Sequence, residues 1–173
     1  MSTAPKKVIS PLRHKKSAVV QKRKKVEDTV SATVNTIVQD LGNPNFLLAA
    51  GICAFLAMTH TQDPASSLVN RMAEHLKSSE GSEKIGQFIA SHLLQTVGAI
   101  CFTITTLLCA PKDKTGTWIV VGLAFAFLVP EKSAYQYAVQ CIALSVYLRA
   151  KRKDVRAMII VAACVSYVLG FVA

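Results

Sequence analysis

Residues 86–110 read GQFIASHLLQTVGAICFTITTLLCA, twenty-five residues without a formal charge when His92 is neutral. At about 1.5 Å of rise per residue a helix of that length is roughly 37 Å long, more than the ~30 Å hydrocarbon core of a bilayer. A helix of a water-soluble domain keeps one charged or polar side in solvent. The stretch therefore predicts a transmembrane helix, and lipid becomes the solvent in which its neighbours are read.

Working outward, the flanking sequence repeats the theme in shorter pieces. Residues 46–58 (FLLAAGICAFLAM), 117–129 (TWIVVGLAFAFLV), 133–148 and 157–173 are further apolar runs, separated by PKDKTG, PEK and RAKRKDVR. With flanks included, the predicted spans are 45–60, 86–110, 117–129, 133–148 and 157–173, the pair 117–148 forming a hairpin that either crosses or re-enters. Between the first two spans, Leu68, Met72 and Leu76 sit four apart with Arg71, Glu74 and Lys77 outside them, and Asp63-Pro64 reads as the start of that short amphipathic helix. Upstream, Val26, Val30, Val34, Ile37, Val38 and Leu41 form one helical stripe opposite a polar face, an amphipathic helix for the membrane surface or the bundle.

The first 25 residues are different in kind. Lys6, Lys7, Arg13, Lys15, Lys16, Lys22, Arg23, Lys24 and Lys25 fall there with no Asp or Glu, and Pro5 and Pro11 interrupt any early helix. Such a segment cannot bury enough apolar surface to fold and is expected to be a disordered polybasic arm. Its chemistry points to polyanions, RNA or anionic lipid headgroups, at about 1 kcal/mol per basic residue near a charged surface. No aromatic residue is interleaved, so base stacking is not indicated. The expected organisation is an arm over 1–25, an amphipathic linker over 26–42 and a transmembrane domain over 43–173.

A net charge of +10 alongside 51% hydrophobic residues requires the charges to be segregated. If each run crosses once and the arm is cytosolic, the cytosolic side holds the nine arm cations, Lys112 and Lys114, and the five from Arg149 to Arg156. That leaves Arg71, Lys77, Lys84 and Lys132 opposite. The alternation obeys the positive-inside rule and places the N-terminus in the cytosol. Arg149, Lys151, Arg152, Lys153 and Arg156 then join the arm as candidate RNA or anionic-lipid contacts.

Within the spans, His92, Gln95, Thr96, Gln136 and Gln140 are the candidate intramembrane polar residues. A polar group in hydrocarbon is costly unless it faces protein or water, so they line either a helix contact or a path for ions. His92, Thr96, Thr103 and Thr106 read as one stripe, with Gln136 and Gln140 as partners. Gly122 and Ala126, like Ala50, Ala54 and Ala57 with Gly51, offer small faces for helix approach. The five cysteines lie in apolar runs without CxxC spacing and read as packing residues. No P-loop, HExxH or GxSxG is present, so neither enzyme activity, a cofactor nor a metal site is expected. No cleavable leader is expected, since the first apolar run begins near Phe46.

The order of basic segments KKVISPLRHKK and QKRKK, the runs FLLAAGICAFLAM, FIASHLLQTVGAICFTITTLL and WIVVGLAFAFLV, the RAKRKDVR turn and the terminal MIIVAACVSYVLGFVA resembles the virion membrane proteins of plant kitaviruses and insect negeviruses. The resemblance implies an all-α multispanning bundle of about four spans against the five counted above. It also implies insertion at the host endoplasmic reticulum and a structural place in the virion membrane. The partners implied are the lipid bilayer, further copies of the chain, and viral RNA, a nucleocapsid or other virion proteins met through the basic arm. Two other readings use the same residues: a viroporin-like channel lined by His92 and the threonines, and an endoplasmic-reticulum protein that shapes membranes.

Overall fold

The computed structural model describes residues 26–35, 37–39, 42–129 and 133–170. Among these every regular element is an α-helix. Residues 26–35 and 37–39 form α1, followed by α2 (Pro44–Gln62), α3 (Leu68–Ser78), α4 (Glu83–Ser91), α5 (Leu93–Cys109), α6 (Thr115–Leu128), α7 (Ala134–Arg149) and α8 (Lys153–Leu169). The polybasic arm lies outside the described residues.

Helices α5 and α7 form the centre. Both touch α2, while α6 packs on α5 and α8 on α7. The core is built from Cys53, Leu56 and Ala57 of α2, Val97, Cys101 and Phe102 of α5, and Ala134, Tyr137, Ala138 and Cys141 of α7. Local signals set several helix starts. The Asn43 side chain accepts from the backbone N–H of Asn45 (3.0 Å) and Phe46 (3.3 Å), and Pro44 takes the first helical turn of α2, where its missing N–H costs nothing. Ser133 and Gln136 form a reciprocal capping box that opens α7.

The stretch 86–110 is not one helix. It breaks at His92 into α4 and α5, which meet at 99°. His92 has φ −131° and ψ 42°, outside the helical region, and belongs to both ends. Its N–H closes α4 on Phe88 and Ile89 (both 3.1 Å), while its carbonyl opens α5 by accepting from the Thr96 N–H (2.9 Å). What holds α4 in this direction is α3. A Cβ at Gly86 would stand 2.5 Å from the Lys77 backbone nitrogen and 2.8 Å from the Ala73 carbonyl, so glycine alone lets the two helices touch. Among the described residues one helix, α2, is by length and composition long and apolar enough to cross a membrane, and the bent α4–α5 pair makes a second if it is counted as one span. Helices α5 to α8 are shorter than that measure.

Two amphipathic helices have a different inner face from the one their apolar periodicity suggests. In α3 the buried residues are Val69 and Ala73, and Leu68 and Met72 are exposed. Ser67 caps α3, its hydroxyl accepting from Asn70 N–H (3.3 Å). Asp63 closes α2 and accepts from Ala65 N–H (3.0 Å), so Asp63-Pro64 begins a turn rather than the helix. In α1 the side facing α8 carries Thr29, Ala32 and Thr33, and the stripe Val26, Val30, Val34, Ile37 and Val38 faces outward.

Candidate anion-binding rim and polar layer

The packing brings five helix ends together. The Asn45 side chain, at the start of α2, donates to the Leu108 carbonyl at the end of α5 (3.2 Å). Phe46 buries against Val146 and Ala150 at the end of α7 and Val155 at the start of α8. Trp118, early in α6, meets Tyr147 edge-on at 5.6 Å. Lys112, Lys114, Arg149, Lys151, Arg152, Lys153 and Arg156 therefore share one end of the bundle, the end from which the chain before α2 departs. The opposite end carries Arg71, Lys77 and Lys84 among Asp63, Glu74, Glu80 and Glu83, a near-balanced set.

The cations of the rim are not equivalent. Lys151, Arg152 and Lys153 are exposed. Arg152 forks onto Asp154, with Nε to Oδ1 at 3.1 Å and a terminal nitrogen to Oδ2 at 2.5 Å. Arg156 is half-buried; its Nε donates to the Ala150 carbonyl (2.7 Å) and its guanidinium lies 5.4 Å from the centroid of the Tyr147 ring. Arg149 is half-buried in the last turn of α7.

Asp154 ties this rim to α1. Besides Arg152 it accepts from its neighbour Val155 N–H (3.1 Å) and from the Thr29 hydroxyl (3.2 Å), 125 positions away in sequence. The hydrogen bonds from Arg152 hold the Asp154 carboxyl at about 2, well below its ordinary range, and the pairing pushes the Arg152 guanidinium up in turn. One carboxylate thus fixes the N-terminus of α8, a basic loop and the helix that follows the polybasic arm.

The five polar residues singled out within the spans do not form one layer. His92 sits at the α4–α5 bend, where its Nδ1 lies 2.8 Å from the Ser91 hydroxyl and 3.1 Å from the Phe88 carbonyl, and its ring stacks on Phe88 at 4.7 Å. Gln95 is half-buried in the first turn of α5. Thr96 and Thr103 donate back to the carbonyls of His92 and Ala99 (both 2.8 Å), which satisfies each hydroxyl on its own helix. Gln136 is occupied in the capping box of α7, and Gln140 donates to the Ala163 carbonyl of α8 (3.3 Å). The expected pairing of His92 with these glutamines is not what the structure forms. Thr106 is fully buried and its hydroxyl has no hydrogen-bond partner among the described residues.

Two features, the convergence of three cysteines and the buried Tyr137, carry weight without a signal in the sequence strong enough to single them out, whereas the small faces were marked there. Cys53, Cys101 and Cys141 converge where α2, α5 and α7 cross, with Cys53 Sγ 3.8 Å from the Cys101 carbonyl and 3.7 Å from the Thr105 hydroxyl. Among the described residues no group of three or more His, Cys, Asp or Glu is placed to hold a metal ion. Tyr137 is fully buried and donates to the Ala126 carbonyl (2.9 Å). Gly122 and Ala126 are buried against the core, Gly122 beneath Phe102, so the small face of α6 is already occupied. On α2 the small residues divide, with Ala57 in the core and Gly51 and Ala54 exposed.

The profile of the SP24 family, described as "Putative virion membrane protein of plant and insect virus", matches residues 29–172. The chain belongs to that family. The matched region opens at Thr29, the residue that clips α1 to Asp154, and runs through all of α2 to α8. No curated protein and no solved structure matches it. The SP24 match agrees with the resemblance drawn from the basic segments and apolar runs, and it supports a virion membrane component.

Proposed function

We propose that this SP24 protein is a structural integral component of the virion membrane, with α2, α5, α6, α7 and α8 crossing the bilayer and the basic rim lying on the cytosolic face. After budding that face becomes the particle interior. There the arm and rim hold RNA, a nucleocapsid or anionic headgroups. The observation that carries this reading is the gathering of five helix ends with Lys112, Lys114 and the Arg149–Arg156 cluster at the end where Thr29 of α1 is bonded to Asp154 of α8. Helix direction in the fold gathers these cations at one end, and the charge order in the sequence supports assigning that end to the cytosol.

The lengths support a thin membrane. At ~1.5 Å per residue the 19 residues of α2 span about 28 Å, the 17 of α5 and of α8 about 25 Å, the 16 of α7 about 24 Å and the 14 of α6 about 21 Å. The endoplasmic reticulum bilayer, at about 27 Å, is a few ångströms thinner than average. The surface supports lipid as solvent. Leu47, Leu48 and Phe55 of α2, Val120, Val121 and Leu128 of α6, and Val161, Val165 and Val168 of α8 are exposed, Leu128 to 80%. A monomeric water-soluble protein rarely shows apolar area of that extent. The outward valine stripe of α1 suits the acyl boundary for the same reason.

Two measurements test the reading together. The full chain, tagged at its N-terminus and inserted into microsomes, should resist carbonate extraction, and added protease should remove the tag. Proteoliposomes carrying the full chain should retain RNA at 50 mM salt and lose most of it by 200 mM, because phosphate contacts release counterions. A chain lacking residues 1–25 should retain little at either salt. A protected tag would overturn the sidedness, and salt-insensitive RNA retention would overturn the electrostatic role.

A further inference from the structure

Helix α6 packs on α5 and helix α8 on α7, and the space between α6 and α8 is an apolar groove of about 260 Å³, open on its outer side and floored by α7 and by Phe102 of α5. Its walls are formed by Val121 and Phe125 on one side and Ile159, Ile160 and Ala163 on the other. One end is closed by Trp118 and Tyr147, with Arg156 beyond Tyr147. That end is the basic rim. Arg156 is held in place by its Nε bond to the Ala150 carbonyl and by the Tyr147 ring, and its two terminal nitrogens have no hydrogen-bond partner among the described residues. Neither does the Trp118 indole N–H. A dry slot thus ends in a fixed guanidinium and an indole donor, with Lys151, Arg152 and Lys153 exposed a few residues away.

We propose that this groove is a binding site for one anionic glycerophospholipid, its acyl chain in the slot and its phosphate on Arg156 and Trp118. The inference rests on the membrane reading above. Inside a bilayer an apolar slot gains little from filling as such, since the alternative surroundings are equally apolar. The selective part is the headgroup, where an amphipathic aromatic pair and a cation stand at the depth at which they favour the interface. A second copy of the chain suits the groove poorly. A parallel neighbour seated there would bring its own basic rim against the Arg156 end of the groove.

Trp118 is the chain's one tryptophan, so its fluorescence reports this site directly. The full-length protein is reconstituted in phosphatidylcholine vesicles containing a minor fraction of lipid brominated on the acyl chains, presented either as phosphatidylglycerol or as phosphatidylcholine. Quenching by the brominated phosphatidylglycerol should be severalfold stronger at equal mole fraction. Arg156→Gln should reduce it to the phosphatidylcholine level. Ala163→Phe, which fills the slot and leaves every rim charge in place, should do the same. Far-UV circular dichroism confirms that both variants are folded, and Ile160→Ala, which enlarges the slot, must keep the preference. Equal quenching by both lipids overturns the proposal. So does a headgroup preference that survives Ala163→Phe, which would assign it to the rim alone, or a lack of quenching accompanied by cross-linking of Ile160→Cys between copies. A chain that never floats with the vesicles refutes the membrane reading instead, and flotation is scored first.

Discussion

Removing one oxygen from Tyr137 is the sharpest test of the packing. The Tyr137 hydroxyl donates to the Ala126 carbonyl at 2.9 Å in a fully buried setting. Four residues beyond Ala126 the sequence has Pro130, which has no N–H, so that carbonyl cannot fall back on the ordinary helical bond. Tyr137→Phe keeps the ring, which lies against Gly98 and meets Phe102 edge-on at 6.2 Å, and deletes the donor alone. Leaving a buried acceptor unpaired costs about 1–3 kcal/mol, whereas interhelical hydrogen bonds in membranes average about 0.6 and reach about 1.7. With no substitute donor on its own helix the loss belongs near the upper membrane value, about 1.5 kcal/mol. For a chain of this size that lowers the melting temperature by about 3–6 °C. The assay is thermal unfolding in nanodiscs followed by circular dichroism, with Tyr135→Phe as the control, since the Tyr135 hydroxyl has no hydrogen bond among the described residues. A Tyr137→Phe protein that melts with the wild type, or no lower than Tyr135→Phe, refutes the argument.

Gly86→Ala should open the α3–α4 pair, because its Cβ would meet backbone atoms of α3 at 2.5–2.9 Å. About 2 kcal/mol of overpacking less a ~1 kcal/mol gain in helix propensity leaves roughly fivefold faster tryptic cleavage at Arg71, Lys77 and Lys84. Gly51→Ala, with nothing within 4 Å of the added carbon, should instead be neutral or raise the melting temperature. Ser133→Ala removes the α7 capping box and should cost about 1 kcal/mol in the same melting assay. The contact between α1 and α8 should survive mild acid. A carboxyl depressed to about 2 contributes stability that is fully present above the ordinary aspartate value and is lost as pH falls through 2, so a distance probe between the two helices should stay constant from pH 7 to about 3. A release centred near pH 4 would show that Asp154 is not paired as described.

What could be read from the sequence depended on which force decided each element. The helical class followed from long uncharged runs, and the capping residues Asn43 and Ser133 mark helix starts that any reader of propensities can find. The gathering of basic segments at one end was legible because charge alternation and short connections leave few other arrangements. The break at His92 was not, since no proline or glycine stands at 92; it is imposed from outside, by α3 meeting Gly86 at backbone distance. Whether α1 turns its valines to the membrane surface or to the bundle was left open by the sequence, because apolar periodicity marks the inner face only when the solvent is water. Thr29 and Thr33 turn inward to meet Asp154 and Met158, and the valines turn out. The expected partnership of His92 with Gln136 and Gln140 failed for a related reason. Each glutamine already had a nearer use, one at a cap and one on a neighbouring carbonyl.

The right angle between α4 and α5 has a geometric consequence for an array of copies. With α4 turned across the axis of α5 and α3 packed along it, two helices lie across the bundle at the end opposite the basic rim, while α1 is clipped to α8 at the rim. Units wider at the α3–α4 end than at the rim cannot tile a plane when set side by side. They tile a shell, narrow ends inward, and in the proposed orientation those ends belong to the arm. The curvature of a particle would then be written into each subunit as a difference in cross-section between its two leaflets, before any genome or second protein is engaged.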